Sequence, residues 1–195
     1  MDGSYIKFLE QLFDVKLSNK ELEVINSSFN VVDFKKGDIP VHQGDKLTNI
    51  YIITKGLVRG FYIDEDGNEV TKCFSAEKQY FSAEGLMSTE GASFNIECLE
   101  NVRCIQIPYK SLEYIKDNNP EISKKIYNIV LKIYLSSETR TKHILMENAA
   151  ERYRNFVNEN AELAGRLKQK YIASYLGISP VSLSRLKKSG QTFEK

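Results

Sequence analysis

Long apolar runs are missing from this 195-residue chain, and so is any clustering of sulfur or imidazole. No stretch of about 18 uninterrupted apolar residues occurs, so no transmembrane helix is expected. The opening Met-Asp-Gly-Ser-Tyr-Ile-Lys lacks the basic-then-apolar order of a signal peptide. The three cysteines, Cys73, Cys98 and Cys104, are odd in number and too far apart for a CxxC site. They fit ordinary packed thiols in a reduced, cytoplasmic setting. His42 and His143 are the only imidazoles, and neither sits in a metal-ligand motif. There is no Walker loop, no nucleophile elbow and no coherent acid–base set, so no enzyme and no metal site are expected. The acidic run Asp64-Glu65-Asp66 reads as a hairpin turn.

Net charge is also nearly absent, at +1, but it is unevenly placed. From Ala164 onward there are seven basic residues and one acid, a net of +6, which leaves −5 for the rest of a chain whose total is +1. A basic end on an acidic body points to a polyanionic partner for that end alone.

An apolar fraction of 42% is enough for a packed core. Residues 5–30 read as helical: Tyr5, Phe8, Leu9, Leu12 and Phe13 recur at helical spacing, and Ser18 with Glu21 forms a capping box. Residues 31–108 change to short strand-like runs with turns about every ten residues, as in an all-β sandwich or barrel. Tyr109 to Asn118 returns to helix. Pro120 then opens a long one, whose stripe runs through Ile122, Ile126, Ile129 and Ile133 toward Leu145. A narrow apolar stripe on so long a helix suits a symmetry mate. A further helix is expected from Ala149 to Leu163.

The stretch Gln169–Lys188 reads as two short helices joined by a tight turn. Ile172, Ala173 and Leu176 line the first helix. Gly177 suits the left-handed reversal. Ser179 suits an N-cap and Pro180 the first helical residue, and Leu183 and Leu186 give the second helix an apolar face. This is a helix-turn-helix with a basic, hydroxyl-rich second helix, suited to a DNA major groove.

Three stretches carry a resemblance to a known family. They are Phe34-Lys-Lys-Gly-Asp38 with His42-Gln-Gly44 and Ile50-Tyr-Ile-Ile-Thr-Lys-Gly56; Asn119-Pro-Glu-Ile122; and Ile172 through Leu186. In this order the chain resembles the CRP/FNR superfamily of bacterial transcription regulators over nearly its whole length. The resemblance implies an α+β chain: an N-terminal double-stranded β-helix (jelly-roll) sensor domain over 1–118, a dimerisation helix over 119–146 with Ile122, Ile126, Ile129 and Ile133 at the seam, and a helix-turn-helix domain over 147–195. It implies a homodimer that reads an inverted repeat in double-stranded DNA, with RNA polymerase as a possible further partner and no membrane. By match to the family, Pro180, Val181 and Arg185 read bases. Ser179, Ser182 and Ser184 can bond phosphates or bases, and Lys168, Lys170, Lys187 and Lys188 supply phosphate contacts. Family members often carry a β-hairpin wing after the reader. Only Ser189–Lys195 follows here, so a wingless reader is expected.

For an effector pocket the resemblance points to Glu84, Gly85, Ser93, Ser136 and Ser137. Cyclic-nucleotide binders of the family use a Gly-Glu-Leu turn and an Arg-Ser or Arg-Thr pair on the phosphate. Here Ala83 replaces the first Gly and Ala92 the Arg, and no basic residue occurs from Gln79 through Glu100. A buried phosphate would lack its cation, so cyclic AMP is not the expected effector and another small molecule, or none, takes its place. An iron–sulfur sensor needs a cysteine cluster, and no cysteine precedes Cys73. Two other readings stay open on the sequence: a small-molecule sensor that acts through a protein partner, and a cyclic-nucleotide-responsive regulator.

Overall fold

The computed structural model describes residues 2–86 and 90–190. The chain divides into two compact units, residues 1–62 with 73–130 and residues 63–72 with 131–195.

The first unit opens with helices α1 (Gly3–Phe13) and α2 (Asn19–Ser28). The capping box at α2 is formed: Ser18 N–H donates to Glu21 Oε2 at 2.6 Å and Glu21 N–H to Ser18 Oγ at 3.4 Å. The other oxygen of Glu21 accepts from Asn119 Nδ2 at 2.6 Å. Asn119 Oδ1 in turn accepts the N–H groups of Glu121 and Ile122, the free donors at the start of the long helix α4 (Pro120–Met146). One buried carboxylate therefore joins the starts of two helices. Burial works against its charge, but Ser18 and Asn119 hold its carboxyl below the usual range.

Seven strands lie in the described part of the chain: β1 (Asn30–Phe34), β2 (Asn49–Lys55), β3 (Val58–Ile63), β4 (Glu69–Ser75), β5 (Tyr80–Phe81), β6 (Asn95–Cys98) and β7 (Val102–Pro108). They form two sheets, ordered β1-β7-β2-β5 and β4-β3-β6. The recorded pairings β1/β7, β2/β7, β2/β5 and β3/β6 are antiparallel. This is the mixed helix and antiparallel-sheet architecture expected from the sequence. Alternation sends Val58, Ile96, Cys98, Val102 and Cys104 inward, where they meet Val41, Ile53, Phe81, Ala92 and Phe94 in one core. Ile105 and Ile107, on the other face of β7, are just as buried, because helix α3 (Tyr109–Asn118) packs there.

Arg59 is a charge inside this unit. It is 1% exposed and lies directly across from Glu97. Its Nε and Nη2 donate to Glu97 Oε2 at 3.1 and 2.6 Å, and its guanidinium lies 4.4 Å from the centre of the Phe61 ring.

α4 runs from the first unit into the second, changing over between Val130 and Leu131. Of the four isoleucines expected at a dimer seam, Ile122 is 4% exposed within its own unit and cannot serve a partner. Ile126, Ile129 and Ile133 are half-buried. The apolar residues that α4 leaves exposed are Tyr127, Leu131, Tyr134 and Leu135, with Ile144, Leu145 and Met146 at its end.

The second unit continues with α5 (Ala149–Glu159), α6 (Ala161–Arg166), α7 (Gln169–Leu176) and α8 (Pro180–Gly190). The single helix expected over 149–163 is broken at Asn160. That residue leaves helical geometry, and its side chain donates to the Phe156 carbonyl at 3.1 Å, competing with helix continuation. The tip of the β3–β4 hairpin, residues 63–72, also belongs to this unit. Asp64 closes it by accepting from the N–H groups of Asp66 and Asn68 at 3.1 and 2.8 Å, the turn expected of that acidic run. Among the described residues no helix is long and apolar enough to cross a membrane.

Candidate nucleic-acid interface

α7 ends where the sequence places the reversal. Gly177 is left-handed at φ 66°, and the N–H groups of Gly177 and Ile178 return to the carbonyls of Ser174 and Ala173, a Schellman closure. Ser179 then caps α8: its Oγ accepts from Ser182 N–H at 3.0 Å, and the two hydroxyls lie 2.9 Å apart. Tyr171, Ile172, Ala173, Leu176 and Leu183 are buried with Phe156 and Leu167, giving the two helices and α5 a small core.

The outward side of α8 follows from helical spacing. Val181, Ser184, Arg185 and Lys188 fall at i, i+3, i+4 and i+7 and are all exposed, so they form one stripe opposite Leu183. Val181 is 61% exposed, an apolar side chain held out in water at the first turn. Pro180 is exposed beside it. Ser179 and Ser182, two further expected contacts, are engaged with each other in the cap. Lys168 and Lys170 are exposed at the start of α7, with their ammonium groups 6.0 and 4.8 Å from the Tyr171 ring centre. The expected absence of a wing concerns residues that largely lie outside the described part of the chain.

Three residues that sequence reasoning passed over brace this reader. Arg152 on α5 donates to the Leu176 carbonyl at 2.9 Å and to the Glu147 carbonyl at 2.6 Å, placing a cation on exposed helix C-termini. Arg140 on α4 donates to the carbonyls of Thr71 and Tyr175 at 3.2 and 3.1 Å, and its guanidinium lies 4.7 Å from the Tyr175 ring centre. Ser174 accepts from Thr71 N–H at 2.8 Å and donates to the Glu69 carbonyl at 3.1 Å. One hydroxyl thus pairs both backbone groups that the edge strand β4 presents there. Their partners are main-chain atoms 35 to 105 residues away, for Arg140 and Ser174, and no local motif announces them. Replacing Ser174 with alanine removes the acceptor for the Thr71 N–H, at a cost of about 1–2 kcal/mol. Hydrogen exchange of the Thr71 amide is therefore expected to accelerate roughly tenfold.

The expected effector residues are divided. In the first unit Glu84 and Ser93 meet: Glu84 Oε1 accepts from Ser93 N–H and Oε2 from Ser93 Oγ, both at 2.8 Å. Glu84 lies in the short 3-10 turn Ala83–Leu86 with Gly85, while Ser136 and Ser137 are exposed on the part of α4 that belongs to the second unit. Ala92 is buried at 4%. The ring of Phe94 lies against bare backbone at Gly60, where an added Cβ would come within 2.7 Å of both Phe94 Cε2 and Cys73 Sγ. This arrangement does not fit a cyclic nucleotide. Both Ser93 donors are taken by the Glu84 carboxylate, and the Phe94 ring lies against Gly60.

Cys98 and Cys104 are fully buried. Burial, with added repulsion from Asp38 and Glu97 at Cys98, pushes both thiols up to about 12, so neither supplies a thiolate near neutral pH. Among the described residues no group of three or more His, Cys, Asp or Glu is placed to hold a metal ion.

Residues 31–119 match the family model of the cyclic nucleotide-binding domain. Electron transport regulator A of Shewanella oneidensis is 23% identical over 163 residues, covering 78% of this chain and 65% of that protein. The chain thus spans just under two thirds of that relative's length. Among solved structures, FixK2 from Bradyrhizobium japonicum superposes with a TM-score of 0.76 at 19% identity, over 84% of this chain and 85% of that one. The c-di-GMP-responsive global regulator CLP of Xanthomonas campestris gives 0.73 at 14% identity, over 90% and 92%.

Proposed function

We propose that the chain is a DNA-binding transcription regulator of the CRP/FNR superfamily that reads its site through α8, a reading supported by the cyclic nucleotide-binding domain match and by the relatives above. The observation that carries this reading is the exposed stripe Val181, Ser184, Arg185 and Lys188 on a helix capped by Ser179 and seated on α7. Its N-terminal turn carries the residues that a major groove would meet first. Arg185 donates twice to guanine O6 and N7, Val181 touches a thymine methyl, and Lys168, Lys170 and Lys188 contact phosphates.

The working form is a homodimer in the cytoplasm. Tyr127, Leu131, Tyr134 and Leu135 support it, since four large apolar side chains on one stretch of helix are poorly suited to solvent. Two readers related by a two-fold axis then require an inverted repeat. A contact with RNA polymerase follows from family resemblance alone.

Selection from random duplexes tests the reading. Purified protein is expected to enrich an inverted repeat, and binding should fall steeply with salt. Absence of any sequence preference sinks it. Binding that appears only with an added protein partner would transfer the reader's task to protein docking.

A further inference from the structure

We infer that the second unit binds one small monovalent anion, of chloride size, in the cavity between α4, α5 and the end of α7. The site stands on that unit's own geometry, and only its effect at DNA rests on the reading of α8 given above.

The cavity has an unspent donor in its wall. Arg140 lines it, and the Nε of Arg140 is buried with no hydrogen-bond partner among the described residues. Nη2 of the same guanidinium donates to the carbonyls of Thr71 and Tyr175, and the group lies 4.7 Å from the Tyr175 ring centre. Those contacts fix the guanidinium in place while leaving a charged N–H without an acceptor, a costly state for a buried donor. Arg152 lines the same cavity from α5, its Nε and Nη1 held by the carbonyls of Leu176 and Glu147. Among the described residues neither guanidinium forms an ion pair with a carboxylate. Two positive charges thus border one cavity and are met there only by main-chain dipoles, which an anion completes.

The rest of the wall selects the anion by size and charge. The interior of the cavity is about 20 Å³, room for a body of one or two water molecules. Ile144, Phe156 and Leu176 give it an apolar lining. Glu159, an exposed carboxylate in the wall, repels a divalent phosphate twice as strongly as a monovalent ion. His143, also in the wall, has its Nε2 3.7 Å from Glu147 Oε1, and that carboxylate accepts from Asn155 Nδ2 with both oxygens. These groups are engaged with one another and leave the two arginines to meet the anion.

The same arginines hold the carbonyls of Tyr175 and Leu176, the last residues of α7 before the Gly177 reversal into α8. An anion shared by them ties the end of α7 to α4 and α5 and favours the seating of the reader that keeps both arginines in the wall.

The side-chain Nε–H resonance of Arg140 in the 15N,13C-labelled 195-residue chain reads the site, assigned through its own side-chain carbons. Sodium glutamate is exchanged for sodium chloride at a constant pH and a constant ionic strength of about 0.2 M. The Arg140 proton is expected to move along a saturable curve with a midpoint of about 1–50 mM chloride, the range open to a few charge-assisted hydrogen bonds. Glu159→Gln removes the repelling carboxylate from an exposed position and should lower that midpoint roughly threefold.

A resonance that stays still overturns the inference, because the donor then takes no anion. So does movement that grows linearly with chloride, which is a general salt effect. Saturation by inorganic phosphate at a lower concentration than by chloride overturns the assignment of a small monovalent ion. A Glu159→Gln midpoint equal to that of the wild type removes this cavity as the place of binding. Duplex selection run alongside keeps the two readings apart. Loss of sequence preference with a saturable Arg140 response removes the DNA function alone, and intact preference with a still resonance removes the anion site alone.

Discussion

Replacing Glu97 with alanine is expected to destabilise the N-terminal unit by about 2 kcal/mol, because it takes a carboxylate, itself 21% exposed, from a buried guanidinium. Arg59 is 1% exposed and donates twice to Glu97 Oε2. In the variant the guanidinium keeps the Phe61 ring, whose attraction is about 1–2 kcal/mol, and loses the two charge-assisted hydrogen bonds to Glu97. The loss appears as lower stability of the folded unit. Urea denaturation followed by circular dichroism reads it as a lower midpoint with an unchanged slope. Glu97→Gln keeps an acceptor and should lose less. The double replacement Arg59→Met with Glu97→Leu should recover most of the stability, since exchanging a whole buried pair for apolar volume is often neutral. A Glu97→Ala variant within about 0.5 kcal/mol of wild type would show that water reaches the guanidinium.

This pair also shows where the sequence stops being informative. The capping box of Ser18 and Glu21 and the Gly177-Ser179-Pro180 reversal are local: each is complete within a few residues, and each forms as read. Cys98, read from the sequence as a packed thiol, lies in the core. Arg59 and Glu97 are 38 residues apart, and Arg59 stands between the buried Val58 and Gly60, so nothing in its local sequence marks it as a salt-bridge partner. The same applies to Ser174 with Thr71, across 103 residues. Serine and arginine have no periodicity that betrays a distant main-chain partner.

The helix stripe was legible only in part. Ile122 has the right spacing for a seam, yet it falls on the turn of α4 that α2 and Asn119 anchor to the first unit. The candidate effector residues were found by resemblance, which names positions but not what those positions bond. Glu84 and Ser93 bond each other, a pairing that a resemblance cannot give.

Replacing Arg185 with alanine is expected to reduce discrimination at a single base pair of each half-site by roughly 5- to 150-fold while leaving preference at the others. The argument rests on its place in the stripe. Arg185 is exposed one turn in from the capped start of α8, on the same face as Val181 and Ser184, and the cap holds that face in one orientation. On the proposed reading an arginine in this position would donate twice to guanine O6 and N7. Lys188, one turn further along the same face, is a point charge better suited to phosphate. Lys188→Ala should therefore weaken binding to all sequences alike and lower the salt dependence by about one counterion.

Val181 supplies the reciprocal test. Its isopropyl group accepts no hydrogen bond, so it favours a thymine methyl over a cytosine amine at the pair it faces. Val181→Glu introduces an acceptor for cytosine N4–H2 and should move the selected half-site toward C at that one position. The combination is restrictive. Arg185→Ala must loosen one position, Val181→Glu must change a neighbouring one, and Lys188→Ala must change none. Selected duplexes in which Arg185→Ala and Lys188→Ala lose affinity equally at every position would assign Arg185 to the phosphate backbone and leave Val181 and Ser184 as the only side chains of the stripe facing the bases.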